Sequence, residues 1–396
     1  MTEDKQLELY IHIPFCIRKC NYCDFLSFAC DDSKKEAYVR ALIEQINRES
    51  LDVSRDCKVI SIYFGGGTPS VLKGEWLVDI IQEIKSDFSL SDDCEITIEV
   101  NPGTVDMDKL HKLYNAGFNR ISIGMQSADD DELRMLGRIH DFAEFESCYA
   151  NARMAGFSNI NVDVILALPG QDEAGLDRTL DKVVALDPEH ISAYSLIIEE
   201  GTPFYEKYGD IEGPVIGEEL ERSLYWNCIH KLEKAGYKQY EISNCAKAGY
   251  ESRHNSGYWT LTAYLGFGLG ASSLITNGIF LKNLYGENEV RICNTPEFDE
   301  YLMDPCKKAE VTTLSSDESM EEYMFLGMRM RRGICEEDFE RRFGVSVENV
   351  YAKIINNLIC DGLVARDAGW IKLTDKGVDY GNYVFSKFLL SEHENL

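Results

Sequence analysis

The sequence predicts an α/β protein whose core is a partial (β/α)6 barrel of the TIM type. Strand-like and helix-like segments alternate through the first half of the 396-residue chain, which is typical of a parallel sheet. Each strand-like segment has one apolar and one polar face. The alternation stops after about residue 202, which predicts a different architecture for the C-terminal part.

Six strand-like segments are separated by helical ones. The strand-like segments are residues 9–13, 59–64, 95–100, 120–124, 161–166 and 190–197, and the helical ones include residues 34–49, 75–87, 141–155 and 175–185. A parallel sheet covered on both faces is normally apolar throughout. The polar face therefore predicts a closed or nearly closed barrel with a polar, functional lumen. The alternative is a filled barrel whose polar residues satisfy one another.

The composition suggests three regions. Residues 1–236 would form the barrel, residues 237–311 an extension rich in glycine and aromatic residues, and residues 312–396 a winged-helix-like module. The module combines helical segments, the first predicted over residues 317–332, with the hairpin-like sequence GLVARDAGWIKLT. A DNA-reading winged helix needs a basic recognition helix, yet residues 346–359 contain only one basic residue, Lys353. We interpret the module as a packing or lid domain.

Charge and composition disfavour several classes of protein. A net charge of −28 is unfavourable for nucleic-acid binding, since neutralising phosphates requires basic surface. The sequence shows neither a secretory signal nor an apolar run of about 18 residues. We therefore expect a cytoplasmic protein with no nucleic-acid partner and no stable membrane insertion. Its thirteen cysteines are expected to be free thiols.

Three cysteines cluster directly after the first predicted strand. Cys16, Cys20 and Cys23 have the spacing CxxxCxxC. A structural zinc usually takes four ligands, whereas thiolates at this spacing can ligate three irons of a 4Fe–4S cubane and leave the fourth iron open. A zinc site with its fourth ligand elsewhere is the alternative. The carboxyl ends of barrel strands are where active sites collect.

Further motifs follow the later strands. The glycines of YFGGGTPS, residues 63–70, allow close backbone approach and leave N–H donors free. Glu99, Gln126 and Asp163 face the predicted lumen, and a carboxylate can accept both hydrogens of a ribose diol. Arg138, in LGRIH, can bind a carboxylate with two hydrogen bonds. The alternative is an internal ion pair between Glu99 and Arg138.

With these motifs the chain resembles the radical S-adenosylmethionine (radical SAM) superfamily, and within it the oxygen-independent coproporphyrinogen III oxidase family. The matching segments are YIHIPFC, FGGGTPS, RISIGMQS, LGRIH, DVILALPGQ, SAYSLIIEEGTPF and YEISNCA, with the C-terminal module. The resemblance implies a radical SAM barrel with a 4Fe–4S cluster on Cys16, Cys20 and Cys23, and SAM on the open iron. The residues it implies for SAM binding are Tyr10, Tyr22, Gly66, Gly67, Thr68, Glu99, Gln126, Arg138 and Asp163.

One further segment separates subgroups. HNSGYW, residues 254–259, resembles the HNxxYW motif of haem chaperones of the HemW type, which implies that His254 is an axial ligand to haem. The alternative is that His254 and Asn255 only fix a loop. Decarboxylating members of the family carry a fourth cysteine two residues after Cys23, where this chain has Phe25.

The leading hypothesis is therefore a haem chaperone that holds a 4Fe–4S cluster, SAM and haem. Its expected partners are haem or porphyrin, haem-accepting haemoproteins and a low-potential electron donor. The alternative is coproporphyrinogen III oxidase (dehydrogenase), which decarboxylates propionate side chains by radical oxidation. A radical SAM enzyme for another substrate, such as RNA, is the third hypothesis, which the acidity disfavours. Whether the chain is an enzyme stays open at this stage.

Overall fold

The computed structural model describes residues 5–211, 213–276, 279–280 and 289–390. The predicted β/α alternation is confirmed. The first six strands are β1 (Lys5–Ile13), β2 (Cys57–Gly66), β3 (Leu90–Val100), β4 (Arg120–Gln126), β5 (Ile160–Leu166) and β6 (His190–Ser195). The helices among them are α1 (Asp32–Ser50), α2 (Gly74–Asp87), α3 (Met107–Ala116), α4 (Asp130–Leu136), α5 (Phe142–Ala155) and α6 (Glu173–Leu186). The six strands pair in parallel and in chain order.

Local sequence explains where these helices begin and end. Asp106 and Asp141 cap α3 and α5 by accepting hydrogen bonds from backbone N–H groups of the first turn. Both helices end at a glycine in the left-handed conformation, Gly117 at φ 102° and Gly156 at φ 111°, where a side chain would be strained. The apolar face of each helix then packs on the outer, apolar face of the sheet.

The middle region continues the same sheet. Its strands are β7 (Lys238–Glu241), β8 (Asn244–Ala246), β9 (Tyr264–Phe267), β10 (Ser272–Ile275), β11 (Val290–Asn294) and β12 (Lys308–Thr313). Strand β9 pairs in parallel with β1, and β8 pairs antiparallel with β6. The result is an open twelve-stranded sheet with the order β12-β11-β10-β9-β1-β2-β3-β4-β5-β6-β8-β7. The sheet thus crosses the boundaries predicted at residues 237 and 312.

The remaining elements follow the sheet. Helices α7 (Pro203–Tyr208), α8 (Glu218–Lys234), α9 (Arg253–Trp259) and α10 (Phe298–Met303) lie between sheet strands. The C-terminal module contains α11 (Ser316–Gly327), β13 (Ile334–Cys335), α12 (Glu336–Phe343), α13 (Val347–Cys360), β14 (Val364–Asp367), β15 (Trp370–Leu373), α14 (Asp375–Asp379) and α15 (Gly381–Ser386). No helix in the described ranges is both long and apolar enough to cross a membrane.

The module has the predicted helices and hairpin, with one difference. The helix expected over residues 317–332 ends at Gly327. It ends early because Met330 forms a β-bridge with Glu241, and the Arg331 N–H donates to the Tyr240 carbonyl. The end of α11 is therefore attached to the edge strand β7 of the large sheet.

Helix α9, which contains HNSGYW, is held on the lumen side of the sheet. The side chain of Glu95 on β3 accepts hydrogen bonds from the backbone N–H groups of Arg253 (3.1 Å) and His254 (3.3 Å). The fully buried carboxyl of Glu8 on β1 lies against Gly257. A Cβ at Gly257 would overlap the Glu8 carboxyl, so any other residue here would force this buried side chain to move.

Gly257→Ala is expected to lower the free energy of unfolding by about 1–3 kcal/mol, because the added methyl group overlaps the buried Glu8 carboxyl. The control is Gly74→Ala in α2, where the nearest atom would be 3.4 Å from the new Cβ and alanine improves helix propensity. Urea unfolding of both variants measures the difference. Equal midpoints for Gly257→Ala and the wild type would contradict this account of α9.

Candidate functional site

The cysteine loop lies at the carboxyl end of β1 and borders a cavity of about 330 Å³ in the barrel lumen. Cys16, Cys20 and Cys23 are part-exposed free thiols that line it. The lumen therefore contains a cavity lined largely by polar residues, as predicted, but the sheet around it is open and not the closed or nearly closed barrel that was expected.

Backbone contacts fix the loop beside the glycine segment. The N–H of Gly67 donates to the Ile13 carbonyl (2.9 Å), and the N–H of Thr68 donates to the Phe15 carbonyl (2.7 Å). A Cβ at Gly67 would lie 2.8 Å from that Phe15 oxygen, so this close approach requires glycine. The side chain of Thr68 contacts the Cys16 sulfur at 3.4 Å.

The thiols are not arranged around a single ion. In the described part of the chain, no three His, Cys, Asp or Glu side chains converge closely enough to hold one metal. The thiolates of a cubane instead bind different irons. Arg138 Nη1 lies 3.6 Å from the Cys20 sulfur and can donate to it, and such hydrogen bonds suit an anionic iron–sulfur centre. The three cysteines could therefore hold a 4Fe–4S cluster.

Two buried carboxyl groups occupy the lumen. Tyr63 donates a hydrogen bond to Glu99 Oε1 (2.8 Å), and Asn161 donates to Asp163 Oδ1 (2.7 Å). Burial raises the pKa of Glu99 to about 8, which the Tyr63 hydrogen bond opposes and the Asp163 charge reinforces. Burial also raises the pKa of Asp163. In the ligand-free chain the Glu99 carboxyl is thus mainly protonated at neutral pH.

Arg138 does not form the alternative ion pair with Glu99. Its guanidinium donates to the Gly124 carbonyl (2.8 Å) and to the Asn101 side chain, and its Nε is buried without a hydrogen-bond partner among the described residues. A buried, unpaired donor at the wall of the cavity fits an anionic ligand group. Gln126, at φ 70°, accepts a hydrogen bond from the Tyr194 hydroxyl (3.2 Å).

The structure brings together eight of the nine residues predicted to contact SAM. Those that line the cavity are Tyr22, Gly66, Gly67, Thr68, Glu99, Gln126, Arg138 and Asp163. Tyr10 lies outside the lining, behind Tyr63, with its ring stacked on the Tyr63 ring at 6.4 Å between centroids.

Arg120, Asn101 and Tyr194 are among the lining residues that the sequence reasoning missed. Arg120 is 1% exposed, and its Nε has no hydrogen-bond partner in the described structure. It could have been found from the alternation in β4, since it shares the lumen face with Gly124 and Gln126. Asn101 and Tyr194 gave no comparable signal.

His254 is enclosed beneath the cavity and does not line it. Its Nδ1 is hydrogen-bonded to the Ser61 hydroxyl (2.8 Å) and its Nε2 to the Tyr258 hydroxyl (3.0 Å). Its ring stacks on Tyr63 at 5.1 Å, and burial, with the charge of Arg120, lowers its pKa to about 3. Both nitrogens are occupied, so ligation of haem iron by His254 would require these hydrogen bonds to break.

The barrel, the three-cysteine loop and the carboxylate-lined lumen are those of a radical SAM protein. The family model "Radical SAM superfamily" matches residues 10–183, and the model "HemN C-terminal domain" matches residues 314–380. The solved structure of coproporphyrinogen III oxidase (HemN) from Escherichia coli shares the fold, with a TM-score of 0.81 and 22% identity over 98% of this chain and 91% of that one.

Curated relatives give a narrower assignment. The chain is 36% identical to heme chaperone HemW of Lactococcus lactis, over 97% of both chains. It is also 36% identical to heme chaperone HemW of Bacillus subtilis, over 96% of this chain and 98% of that one. The chain therefore belongs to the radical SAM superfamily and, within it, to the family of the HemW proteins.

The radical SAM family uses a 4Fe–4S cluster and SAM, and the cavity fits both. The thiols border one end, and the unpartnered Nε atoms of Arg120 and Arg138 lie in its wall. The glycine segment provides a surface without side chains beside the thiols.

Replacing Cys16, Cys20 or Cys23 singly with alanine is expected to abolish the brown iron–sulfur colour of anaerobically purified protein, because two thiolates cannot hold a cubane. Cys30→Ala is the matched control, since Cys30 is also a part-exposed free thiol near this loop. Iron and sulfide assays with absorption spectra measure the outcome. Full cluster occupancy in any of the three variants would exclude that thiol as a ligand.

Glu99→Gln is expected to weaken SAM binding by about 10–100-fold at pH 9, because a charged hydrogen-bond acceptor is lost. The wild type should bind SAM more tightly at pH 9 than at pH 7, since its Glu99 ionises with a pKa of about 8 and the carboxylate is the form that accepts two hydroxyl hydrogens. Anaerobic calorimetry at both pH values, with the exposed Glu146→Gln as control, measures this. The same pH dependence in Glu99→Gln would contradict the assignment.

Proposed function

We propose that this protein binds haem and transfers it to haemoproteins, and that it retains a 4Fe–4S cluster and SAM for this role. The observation that carries the proposal is the 36% identity to proteins named heme chaperone HemW over 97% of the chain. Because this identity spans the barrel, the middle region and the C-terminal module, all three regions have counterparts in those relatives.

The lumen residues have distinct proposed roles. Cys16, Cys20 and Cys23 would hold the cluster, which would supply an electron for SAM cleavage once a low-potential donor has reduced it. Glu99 and Asp163 accept hydrogen bonds from ribose hydroxyls, and Arg138 binds the methionyl carboxylate. The burial of Glu99, Asp163 and Arg138 supports these roles, because a hydrogen bond is stronger in a protein interior than in water.

The second candidate is coproporphyrinogen III oxidase, the enzyme of the solved structure that shares this fold. A TM-score of 0.81 over 98% of the chain supports the same architecture, and identity of 22% supports no more than that. The position of Phe25 favours the chaperone: decarboxylating members are expected to carry a cysteine there, and Phe25 is a 67% exposed side chain at the rim of the cavity.

Two assays on cluster-reconstituted protein separate the candidates. Added haem should give a Soret band that moves to an apo-haemoprotein when the two are mixed, which is the result expected of a chaperone. Anaerobic incubation with coproporphyrinogen III, SAM and reductant should leave the tetrapyrrole unchanged. Formation of protoporphyrinogen would overturn the proposal in favour of the oxidase, and absence of any haem-dependent Soret band would also overturn it.

A further inference from the structure

A second cavity, of about 770 Å³, lies between the barrel and the C-terminal module. We call it the module cleft. Its walls are the chain after β6, the α7–α8 region, the β7–β8 turn, and helices α14 and α15. The volume falls within the range of about 300–1,000 Å³ that is usual for small-molecule and cofactor sites. It is more than twice the volume of the lumen cavity, about 330 Å³.

The module cleft adjoins the lumen cavity. Tyr194 and Ser243 line both cavities. A molecule in the cleft therefore lies beside the candidate SAM site, separated from it by these side chains.

The cleft collects exposed apolar side chains. Among the described residues, 16 large hydrophobic side chains are exposed, and six of them line this cleft: Tyr194, Ile197, Tyr205, Ile211, Tyr380 and Tyr383. Aromatic rings and branched aliphatic chains suit a flat apolar macrocycle. Exposed apolar side chains gathered in a concave surface are typical of a binding site.

Two arginines line the cleft, and one of them is paired with two carboxylates that also line it. Arg222 is 40% exposed at its side chain and contacts Glu221 (3.0 Å) and Asp379 (3.4 Å). Arg329 lies over the Trp259 ring at 4.3 Å, and its Nε is buried without a hydrogen-bond partner in the described part of the chain. Guanidinium groups bind carboxylates with two hydrogen bonds. The cleft therefore combines an apolar wall with donors for an acidic edge.

We infer that the module cleft is the haem-binding site of this protein, with the macrocycle against the Tyr and Ile side chains and a propionate at Arg329. The inference rests on the proposed function and gives it a location. Haem fits the chemistry of the cleft because it is planar and apolar with two carboxylates on one edge. In this arrangement His254 supports the lumen and takes no part in haem binding.

The cleft offers tyrosine as the ligand to haem iron. Its described lining contains no His, Cys or Met, whereas tyrosine is an established axial ligand. The hydroxyls of Tyr194 and Tyr225 are engaged with Gln126 and the Ile242 carbonyl. Tyr205, Tyr380 and Tyr383 also line the cleft and are 41%, 56% and 48% exposed, so their hydroxyls are accessible to a ligand.

The test is a haem titration of the full chain, followed at the Soret band. Ile197→Asp places a charge on the apolar wall and is expected to weaken haem binding by about tenfold or more. Its control is Met154→Asp, because Met154 is 66% exposed, close to the 67% of Ile197, and lies outside the cleft on α5. Arg329→Gln is expected to weaken binding by about tenfold through the lost propionate contact.

The outcomes distinguish a failure of the proposed haem site in the cleft from a failure of the proposed haem-binding function. Wild-type affinity in both Ile197→Asp and Arg329→Gln would overturn the cleft while leaving the haem function intact. Loss of the Soret band in His254→Ala, with the cleft variants unaffected, would likewise place haem at HNSGYW. A wild-type chain that binds no haem overturns the proposed function together with the cleft. Unchanged spectra in Tyr205→Phe, Tyr380→Phe and Tyr383→Phe would exclude these three tyrosines as ligands to haem iron.

Discussion

The burial of charged side chains inside the barrel is the constraint on which the site depends. Glu99, Asp163 and Arg120 lie on three neighbouring strands, and burial of an ion costs several kcal/mol unless it is paired or neutralised. Arg120 acts on the two carboxyls through its charge, while Tyr63 and Asn161 supply their hydrogen bonds. The ligand-free chain reduces this cost by keeping Glu99 mainly protonated. A diol that donates two hydrogen bonds would stabilise the ionised carboxylate instead. The buried carboxyl would therefore favour ligands with a diol over ligands without one.

The HNSGYW segment lies beneath the lumen and supports the residues that contact the buried Glu99 carboxyl. His254 is neutral, and it joins Ser61 on β2 to Tyr258 on its own helix. The His254 ring stacks on Tyr63, and the Tyr63 hydroxyl donates a hydrogen bond to Glu99. His254, which the sequence predicts as a haem ligand, therefore lies in the floor of the lumen. The glycine of this segment, Gly257, is explained by its contact with the buried Glu8 carboxyl.

The sequence was most informative where structure repeats within a few residues. Alternation along each strand placed Glu99, Gln126 and Asp163 in the lumen, and the loop spacing placed the three thiols. It was silent on pairing between distant segments, such as β9 with β1, because such strands are short and their partners lie far away in the chain. The module cleft could not be predicted from the sequence because its walls come from distant parts of the chain. These parts are residues 193–243, 329 and 378–385, which meet only in the folded protein. The enclosure of His254 likewise depends on Ser61, 193 residues away.

The two cavities share a wall, because Tyr194 and Ser243 line both of them. The Tyr194 hydroxyl donates a hydrogen bond to Gln126 on the lumen side, and the same residue lines the cleft. A molecule that moves this ring changes the contacts available to Gln126, and a molecule that engages Gln126 changes the ring in return. Binding free energies are reciprocal, so any effect of SAM on affinity in the cleft must equal the effect of the cleft occupant on SAM affinity. Because Tyr194 and Ser243 are the described lining residues common to both cavities, such coupling has a short, defined route. A protein with the proposed function must release the haem it carries, and this wall would be the shortest route from the lumen to the cleft.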